Sequence, residues 1–336
     1  MTKTEQQAVA ILVPGHFNDH AVGRIDRTFR RIGIERADPS LVTDEMRETV
    51  RGIACFGGIN AALMDALPRL EIIANFGVGY DSVDARHAGQ NGIMVTNTPD
   101  VLTEEVADTT IGLLINTVRE MYAAEKWLRD GGWVKTGHYP LSRLTLRGRS
   151  VGIFGMGRIG LAVARRLEAF ALPVSYHNRR KVEGLPYGYH ATLKGLAEAV
   201  DTLICIAPGG AATEKAINAE ILSALGPNGV FVNIGRGSTV DEAALAAALA
   251  NGTIAAAGLD VFADEPNVPR ALLEAPNTSL LPHVGSASEH TRRAMADLCV
   301  DNLISWFSER RPLTPVPETV EVSSRAVDPG RPRHSS

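Results

Sequence analysis

The segment from Val151 to Gly160, VGIFGMGRIG, constrains the fold of this 336-residue chain more than any other. A short apolar run typical of a buried strand leads directly into Gly155-x-Gly157-x-x-Gly160, and a helical pattern follows. In such a unit the first glycine permits a tight turn, the second lets a pyrophosphate approach the backbone, and the third lets helix and strand pack closely. The segment therefore predicts a dinucleotide site at a helix N-terminus. The cofactor-binding residues predicted in this loop are Gly155, Met156, Gly157, Arg158 and Ile159.

Short apolar runs alternate with helical stretches along the rest of the chain, which favours parallel sheets with crossover helices. We predict an α/β protein with two doubly wound parallel-sheet domains, a Rossmann-type nucleotide-binding domain inserted into a smaller flavodoxin-like substrate domain. The substrate domain would comprise residues 1–100 and 287–317, and the nucleotide-binding domain residues 101–286. Near the N-terminus the pattern predicts a helix over residues 19–32. Residues 318–336, rich in Ser, Pro and Arg, are predicted to be a disordered tail.

The composition of the chain argues against several classes of partner. A net charge of −4 provides no large positive field for nucleic acid. The chain has no apolar run of about 20 residues and no secretory signal pattern, so we expect a cytoplasmic protein without a membrane partner. The three cysteines, Cys55, Cys205 and Cys299, show no C-x-x-C spacing. They are predicted to be buried thiols, and no metal site is expected.

The end of the second strand of the dinucleotide unit bears on the choice of cofactor. NAD enzymes place a carboxylate there, which accepts hydrogen bonds from the ribose hydroxyls. This chain has Asn178 in that position, followed by Arg179 and Arg180. Two guanidinium groups suit a 2′-phosphate, and no carboxylate repels it. The sequence thus favours NADPH, with NADH as the alternative cofactor and a solvated loop edge as the alternative role of both arginines.

Three charged residues follow further strands of the same domain, at the sheet edge where open α/β sheets bind ligands. Arg236 could bind a carboxylate through two parallel hydrogen bonds. Glu265 could orient His283, and histidine is a residue type suited to donate a proton to a forming alkoxide. Alone, each has an ordinary alternative: a surface arginine, a solvated acid or a packed histidine. Together, beside a dinucleotide site, they predict catalysis of hydride transfer.

With these residues assembled, residues 50–315 resemble the D-isomer-specific 2-hydroxyacid dehydrogenases. The motifs that carry the resemblance are the glycine loop with Asn75–Asp81 and Asp84, Asn97–Pro99, Val106–Asp108, Asn233–Glu242, Gly258–Pro266 and Pro282–Ser286. The resemblance implies a homodimer. It also implies that His283 is the acid/base, that Glu265 is its partner, and that Arg236 binds the substrate carboxylate and carbonyl. The backbone N–H groups of Val78 and Gly79 would bind the other end of the carboxylate.

The resemblance also implies further contacts to the cofactor. Asp260 would meet the nicotinamide carboxamide, with Ile234 and Thr109 nearby, and Pro208 would lie near the adenosine half. Thr213 and Gly285 complete the predicted cofactor-binding set.

Within the family, Asn178 and the arginines that follow it look like the NADPH-preferring glyoxylate/hydroxypyruvate reductases and the related hydroxyphenylpyruvate reductases. The predicted reaction is therefore the reduction of a small 2-keto acid to the D-2-hydroxy acid. The segment 131–149, with Trp133 and Tyr139-Pro-Leu141, looks like the same branch, in which it contributes to the dimer contact.

Other functions are also compatible with these residues. A phenylpyruvate-type reductase differs only in the substrate pocket, which Phe56-Gly57-Gly58 and Asn75-Phe76 would shape. Phosphoglycerate dehydrogenase is disfavoured by Asn178, and formate dehydrogenase by Glu265, where that branch has a glutamine. A non-enzymatic, nucleotide-sensing co-repressor would retain the same three charged residues. One departure from the family is Ile234-Gly235, where Ala or Ser often precedes the arginine.

Overall fold

The computed structural model describes residues 6–323. The chain divides into two compact units. The discontinuous unit contains the residues up to Leu102 and those from Ser288 onward, and the continuous unit contains Thr103–Ala287.

The strands, in chain order, are β1 Ala10–Pro14, β2 Arg30–Ile34, β3 Val50–Cys55, β4 Ile72–Asn75, β5 Met94–Thr96, β6 Val151–Phe154, β7 Val174–His177, β8 Gly188–Tyr189, β9 Thr202–Cys205, β10 Val230–Asn233, β11 Ala256–Leu259 and β12 Thr278–Leu280. The helices are α1 Asp19–Thr28, α2 Asp44–Thr49, α3 Ala61–Asp65, α4 Ala85–Gln90, α5 Thr103–Arg119, α6 Met121–Arg129, α7 Gly132–Thr136, α8 Arg158–Ala169, α9 Leu193–Ala199, α10 Ala219–Leu225, α11 Glu242–Ala250, α12 Arg270–Leu273 and α13 Glu289–Glu309. Short 3₁₀ helices cover Pro39–Leu41, Gly237–Thr239 and Pro317–Ser323.

The discontinuous unit is built on a five-stranded parallel sheet in the order β2-β1-β3-β4-β5. This is the flavodoxin-like order, in which ligands bind beyond the carboxyl ends of the strands. The side chains of β4 are buried along its whole length, since helices cover a parallel sheet on both faces. Helix α13 begins after Ser288, whose side chain accepts a hydrogen bond from the N–H of Thr291 and so caps the helix.

The continuous unit is built on a seven-stranded parallel sheet in the order β12-β11-β10-β9-β6-β7-β8. Its centre has the Rossmann arrangement, with the strand order reversing beside β6. Strands β6, β9, β10 and β11 are buried throughout. The reversal at β6 opens a crevice where the loop after this strand can hold a ligand. The predicted α/β class and both sheet types are confirmed.

Two predictions about local structure are wrong. The helix expected over residues 19–32 ends at Thr28, and Arg30–Ile34 form strand β2, which pairs with β1 in parallel register. Part of the predicted disordered tail is ordered, since residues 318–323 belong to a 3₁₀ helix. Thr319 there is buried, and its hydroxyl accepts a hydrogen bond from the N–H of Val95 in β5. The rest of that prediction, residues 324–336, lies outside the described residues.

The prediction for the cysteines is confirmed, since Cys55, Cys205 and Cys299 are all free and buried. Burial raises the pKa of each thiol, that of Cys55 to about 12, so each remains protonated and unreactive. Within residues 6–323, none of the helices combines the length and the apolar character that a membrane crossing requires.

Candidate functional site

The glycine loop after β6 has the geometry that its sequence predicts. Gly155 has a φ of +108°, and a Cβ there would lie 2.7 Å from the backbone nitrogen of Ala207. A Cβ at Gly160 would lie 2.5 Å from the carbonyl oxygen of Gly155, so both positions require glycine. At Gly157, by contrast, such a Cβ would meet no described residue within 4 Å apart from its own neighbours along the chain.

Gly157 also begins helix α8 without any side-chain cap. The first N–H groups of a helix lack intrahelical acceptors and carry the positive end of the helix dipole. The open backbone at Gly157 therefore suits the pyrophosphate of a dinucleotide, as its residues predict.

The Asn178 side chain, at the end of β7, holds the glycine loop. Its Oδ1 accepts a hydrogen bond from the N–H of Met156 at 2.7 Å, and its Nδ2 donates to the Met156 carbonyl at 3.2 Å. An aspartate could not make the second bond, because a carboxylate has no proton to donate. Arg179 and Arg180, which follow, are exposed and have no ion-pair partner among the described residues.

Arg236 lies in a loop that a neighbouring buried side chain fixes. Asn233, at the end of β10, accepts from the N–H of Gly235 at 3.0 Å and donates to the carbonyl of Arg236 at 2.9 Å. The glycines on either side have no room for a Cβ, which would lie 2.8 Å from the Ala207 carbonyl at Gly235 and 1.8 Å from backbone of Phe262 at Gly237. The departure Ile234-Gly235 thus follows from the close approach of the loop after β9.

The segment carrying His283 is fixed by Asp260, at the end of β11. The two carboxylate oxygens of Asp260 accept hydrogen bonds from the N–H groups of Val284 at 2.7 Å and Gly285 at 2.9 Å. The backbone N–H of His283 donates to the carbonyl of Asp260 at 2.8 Å. Asp260 is only 1% exposed, and this burial raises the pKa of its carboxyl, although the two N–H groups oppose the shift.

Glu265 and His283 are in direct contact. Oε2 of Glu265 lies 2.7 Å from Nδ1 of His283, and Oε1 of Glu265 accepts from the N–H of Phe262 at 3.0 Å. Both side chains remain partly accessible to solvent. A carboxylate at Nδ1 fixes the ring and leaves Nε2 to exchange a proton with a bound molecule.

The remaining predicted cofactor residues of the continuous unit lie in two groups. Thr109 donates to the carbonyl of Gly285 at 3.2 Å, and a Cβ at Gly285 would lie 3.4 Å from Cδ1 of Ile234, so these three lie beside Asp260. In the loop after β9, Thr213 donates to the carbonyl of Pro208 at 2.6 Å.

The predicted substrate residues of the discontinuous unit, Val78 and Gly79, lie in the loop after β4. The carbonyls of Gly77, Val78 and Gly79 accept hydrogen bonds from Asn75, Asn97 and Thr98. The N–H groups of Val78 and Gly79 donate to no acceptor among residues 6–323. Adjacent backbone N–H groups without a protein acceptor are able to bind an anion, and we call these two the amide pair.

An aromatic cluster lies next to the amide pair. The rings of Phe56 and Phe76 meet edge to face at 6.0 Å. The guanidinium of Arg292, on α13, lies 6.0 Å from the first ring centroid and 5.8 Å from the second. Phe56 is largely exposed, whereas Phe76 is buried. The cluster offers an apolar wall with a positive charge over it.

Sequence reasoning did not assign roles to Asn233 or Asn97, or to Glu242, whose side chain accepts from the N–H of Ala263 in the loop before Glu265. Each of these side chains bonds to backbone and so fixes a loop. The available sequence signal is their place at or after the end of a strand, within the motifs shared with the 2-hydroxyacid dehydrogenases. Conversely, Asn75, expected to shape a pocket, is 2% exposed and bonds to backbone.

Known proteins are similar to this chain over most of its length. Residues 111–285 match the family described as D-isomer specific 2-hydroxyacid dehydrogenase, NAD binding domain. Hydroxyphenylpyruvate reductase of Plectranthus scutellarioides is 48% identical over 259 residues, which are 77% of this chain and 82% of that protein. Glyoxylate/hydroxypyruvate reductase A of Arabidopsis thaliana is 39% identical over 313 residues, 92% of this chain and 99% of that protein.

A solved structure is also similar. NADPH-dependent glyoxylate/hydroxypyruvate reductase from Sinorhizobium meliloti, crystallised in complex with NADP and malonate, superposes with a TM-score of 0.91 at 64% identity. The match covers 93% of this chain and 98% of that one. With the motifs, the two sheets and these relatives in agreement, the chain belongs to the D-isomer specific 2-hydroxyacid dehydrogenase family.

Proposed function

We propose that this protein uses NADPH to reduce a small 2-keto acid of the glyoxylate or hydroxypyruvate type to the D-2-hydroxy acid. The single observation that carries the proposal is the 2.7 Å contact between Glu265 and His283, in the Rossmann unit that contains the glycine loop. Carbonyl reduction needs a proton donor to the forming alkoxide, and a histidine oriented by a carboxylate provides one.

The residues that would hold the dinucleotide fit it. The open backbone at Gly157 and the uncapped start of α8 suit the pyrophosphate, and exposed Arg179 and Arg180 suit a 2′-phosphate. When bound, the reduced nicotinamide supplies the hydride that the reaction requires. The similar Sinorhizobium meliloti enzyme was crystallised with NADP, which supports the same cofactor here.

His283 would donate the proton from Nε2 as negative charge develops on the carbonyl oxygen. Glu265 would stabilise the imidazolium through Nδ1 and keep the ring in one orientation. Arg236, in the loop fixed by Asn233, would bind the substrate carboxylate and polarise the carbonyl. Asp260 would hold the His283 segment, and with Thr109, Ile234 and Gly285 it would border the nicotinamide.

In the discontinuous unit, the amide pair of Val78 and Gly79 would bind a carboxylate oxygen. The aromatic cluster of Phe56 and Phe76 next to it would meet the substrate side chain. We further propose that the protein acts as a homodimer, because six large apolar side chains between Met121 and Leu141 are exposed. A cytoplasmic location remains a prediction.

The test is steady-state oxidation of NADPH and of NADH, side by side, with glyoxylate, hydroxypyruvate, pyruvate and phenylpyruvate. We expect the highest kcat/KM with NADPH and glyoxylate or hydroxypyruvate. Faster turnover with NADH would contradict the assigned cofactor, and a preference for phenylpyruvate would contradict the assigned substrate class. The absence of turnover with every pair would overturn the proposal itself and favour a nucleotide-sensing role.

A further inference from the structure

We propose that Asn75 and Asn97 are positioning residues that orient the amide pair of Val78 and Gly79 toward the substrate carboxylate. The proposal rests on the function given above. It concerns only the discontinuous unit, in which both asparagines and the amide pair lie.

Asn75 connects the loop after β4 with the loop after β3. Its Nδ2 donates to the carbonyls of Gly77 at 3.3 Å and Gly79 at 3.0 Å. Its Oδ1 accepts from the N–H of Gly57 at 3.3 Å. The residue is 2% exposed, so these three bonds form away from bulk water, where an unpaired amide would be costly.

Fixing a carbonyl also fixes an N–H group. In a trans peptide the C=O and the N–H of the next residue lie in one plane and point in opposite directions. The Gly77 carbonyl shares its peptide with the N–H of Val78. The bond from Asn75 to that carbonyl, joined by one from the N–H of Thr98 at 2.9 Å, therefore turns the Val78 N–H the other way.

Asn97 fixes the direction of the second N–H group of the amide pair, that of Gly79. Its Nδ2 donates to the carbonyl of Val78 at 2.8 Å. That carbonyl shares its peptide with the N–H of Gly79. The backbone of Asn97 is itself fixed, since its N–H donates to the Thr314 carbonyl at 3.2 Å and its carbonyl accepts from the Thr314 hydroxyl at 2.6 Å.

The chemistry of the carboxamide explains why asparagine occupies both positions. Only a group with N–H donors can bind the carbonyls, which holds for both residues. At Asn75 the group must also offer an acceptor, because its Oδ1 binds the Gly57 N–H. An aspartate has the same shape but would place oxygen against the carbonyl oxygens of Gly77 and Gly79. The amide pair would then lose its fixed orientation without any loss of side-chain volume.

The experiment uses Asn75→Asp and Asn97→Asp, each compared with wild type for the reduction of glyoxylate and of its methyl ester by NADPH. We expect each variant to raise KM for glyoxylate by about 10-fold to 100-fold, the effect of losing an oriented hydrogen bond to a charged group, with a smaller change in kcat. The methyl ester has no carboxylate to bind, so its kcat/KM should change by much less. The Kd for NADPH should stay within about twofold of wild type.

Asn116→Asp provides the matched control. Asn116 lies in the continuous unit, where it donates to Ser279 at 3.1 Å and accepts from the N–H of Tyr122 at 2.9 Å. The same chemical change there should leave both KM values unaltered. Because a buried carboxylate at position 75 could prevent folding, Asn97→Asp, at a half-buried position, tests the same relationship independently.

The outcomes separate this inference from the proposed function. If wild type reduces no keto acid, the proposed function fails first. If wild type is active but both folded variants keep their KM for glyoxylate, the positioning role is wrong. An equal loss of kcat/KM for glyoxylate and the ester would also overturn it, since a general structural defect does not distinguish a carboxylate from its ester.

Discussion

Nδ1 of His283 lies 2.7 Å from Oε2 of Glu265, while the other carboxylate oxygen is held by the N–H of Phe262. This arrangement leaves Nε2 as the proton-exchanging atom. His283→Ala should therefore lower kcat by a factor of about 10² to 10⁴, the usual contribution of a general acid. Steady-state NADPH oxidation measures the effect, and the Kd for NADPH should remain near the wild-type value. Near-normal turnover would contradict the assignment.

Glu265→Gln tests whether Glu265 acts by orienting the His283 ring or by its negative charge. A glutamine can still bond to the N–H of Phe262 and to Nδ1, but it does not stabilise an imidazolium. We expect a smaller fall in kcat than for His283→Ala, because the ring keeps its orientation and loses only the charge of its partner. A kcat equal to that of wild type would show that the carboxylate charge plays no part.

Arg236 is assigned to the keto acid and not to the dinucleotide. Its loop is fixed by Asn233 and lies apart in sequence from the glycine loop. Arg236→Ala should reduce kcat/KM for glyoxylate by about 10²-fold or more, as expected for the loss of a bidentate pair of charge-assisted bonds. Fluorescence titration should give an unchanged Kd for NADPH. Arg236→Lys should recover little of the loss, since an ammonium cannot bind two oxygens in parallel.

The sequence predicts the bounds of buried strands better than those of the edge strand β2. Strands β4 and β6 have the bounds that their apolar runs indicate, because both are buried along their whole length in a parallel sheet that helices cover on both faces. Where strand β2 lies, the sequence pattern instead predicts the end of a helix. It is an edge strand whose first residues, Arg30 and Arg31, are exposed, so no apolar run marks it.

The residues of the candidate site can likewise be predicted from the sequence only in part. His283, Glu265 and Arg236 could be found because each is an ionisable side chain in a loop that follows an apolar strand. The role of Asn233 could not, since a buried asparagine that bonds to backbone two and three residues away leaves no pattern in composition or spacing. The bidentate contact of Asn178 with Met156 was likewise unpredictable, because it joins two loops separated by a whole helix.

Asp260 should make stability depend on pH in a definite direction. Burial raises the pKa of its carboxyl, so the folded protein retains the proton to higher pH than the unfolded chain does. The stability this provides is present below the usual pKa of aspartate and is lost as pH rises through the raised value. The free energy of unfolding of Asp260→Asn, relative to wild type, should therefore increase from about pH 4 to pH 7. Urea denaturation at several pH values measures this.

The exposed residue Asp264 provides the control for that series, since Asp264→Asn should show no comparable pH trend relative to wild type. A trend of the opposite sign for Asp260→Asn would contradict the assigned direction of the shift. In the same variant kcat should fall, because an amide NH₂ now opposes the N–H of Val284 or Gly285 and disturbs the segment that carries His283.

The proposed homodimer can be tested on the exposed apolar segment between Met121 and Leu141. Val134 is 95% exposed and Leu141 97% exposed, and a charge at either should prevent burial against a second copy. We expect Val134→Glu and Leu141→Glu to shift sedimentation from dimer to monomer. Leu273→Glu, at a 57% exposed position outside the segment, should not. A wild-type protein that sediments as a monomer at micromolar concentration would contradict the proposal.

Arg179 and Arg180 should discriminate between the two nicotinamide cofactors. Both are exposed beyond the end of β7, and neither forms an ion pair with any residue from 6 to 323, so their charges are available to a 2′-phosphate. Replacing both with Ala should raise the KM for NADPH by about 10-fold to 100-fold, the effect of losing charge-assisted hydrogen bonds. The KM for NADH, which lacks the phosphate, should change by less than about twofold. Arg165→Ala, which removes an exposed arginine that pairs with Glu104, controls for the loss of a surface charge. An equal loss with both cofactors would mean that the arginines support the fold of the loop and do not bind the phosphate.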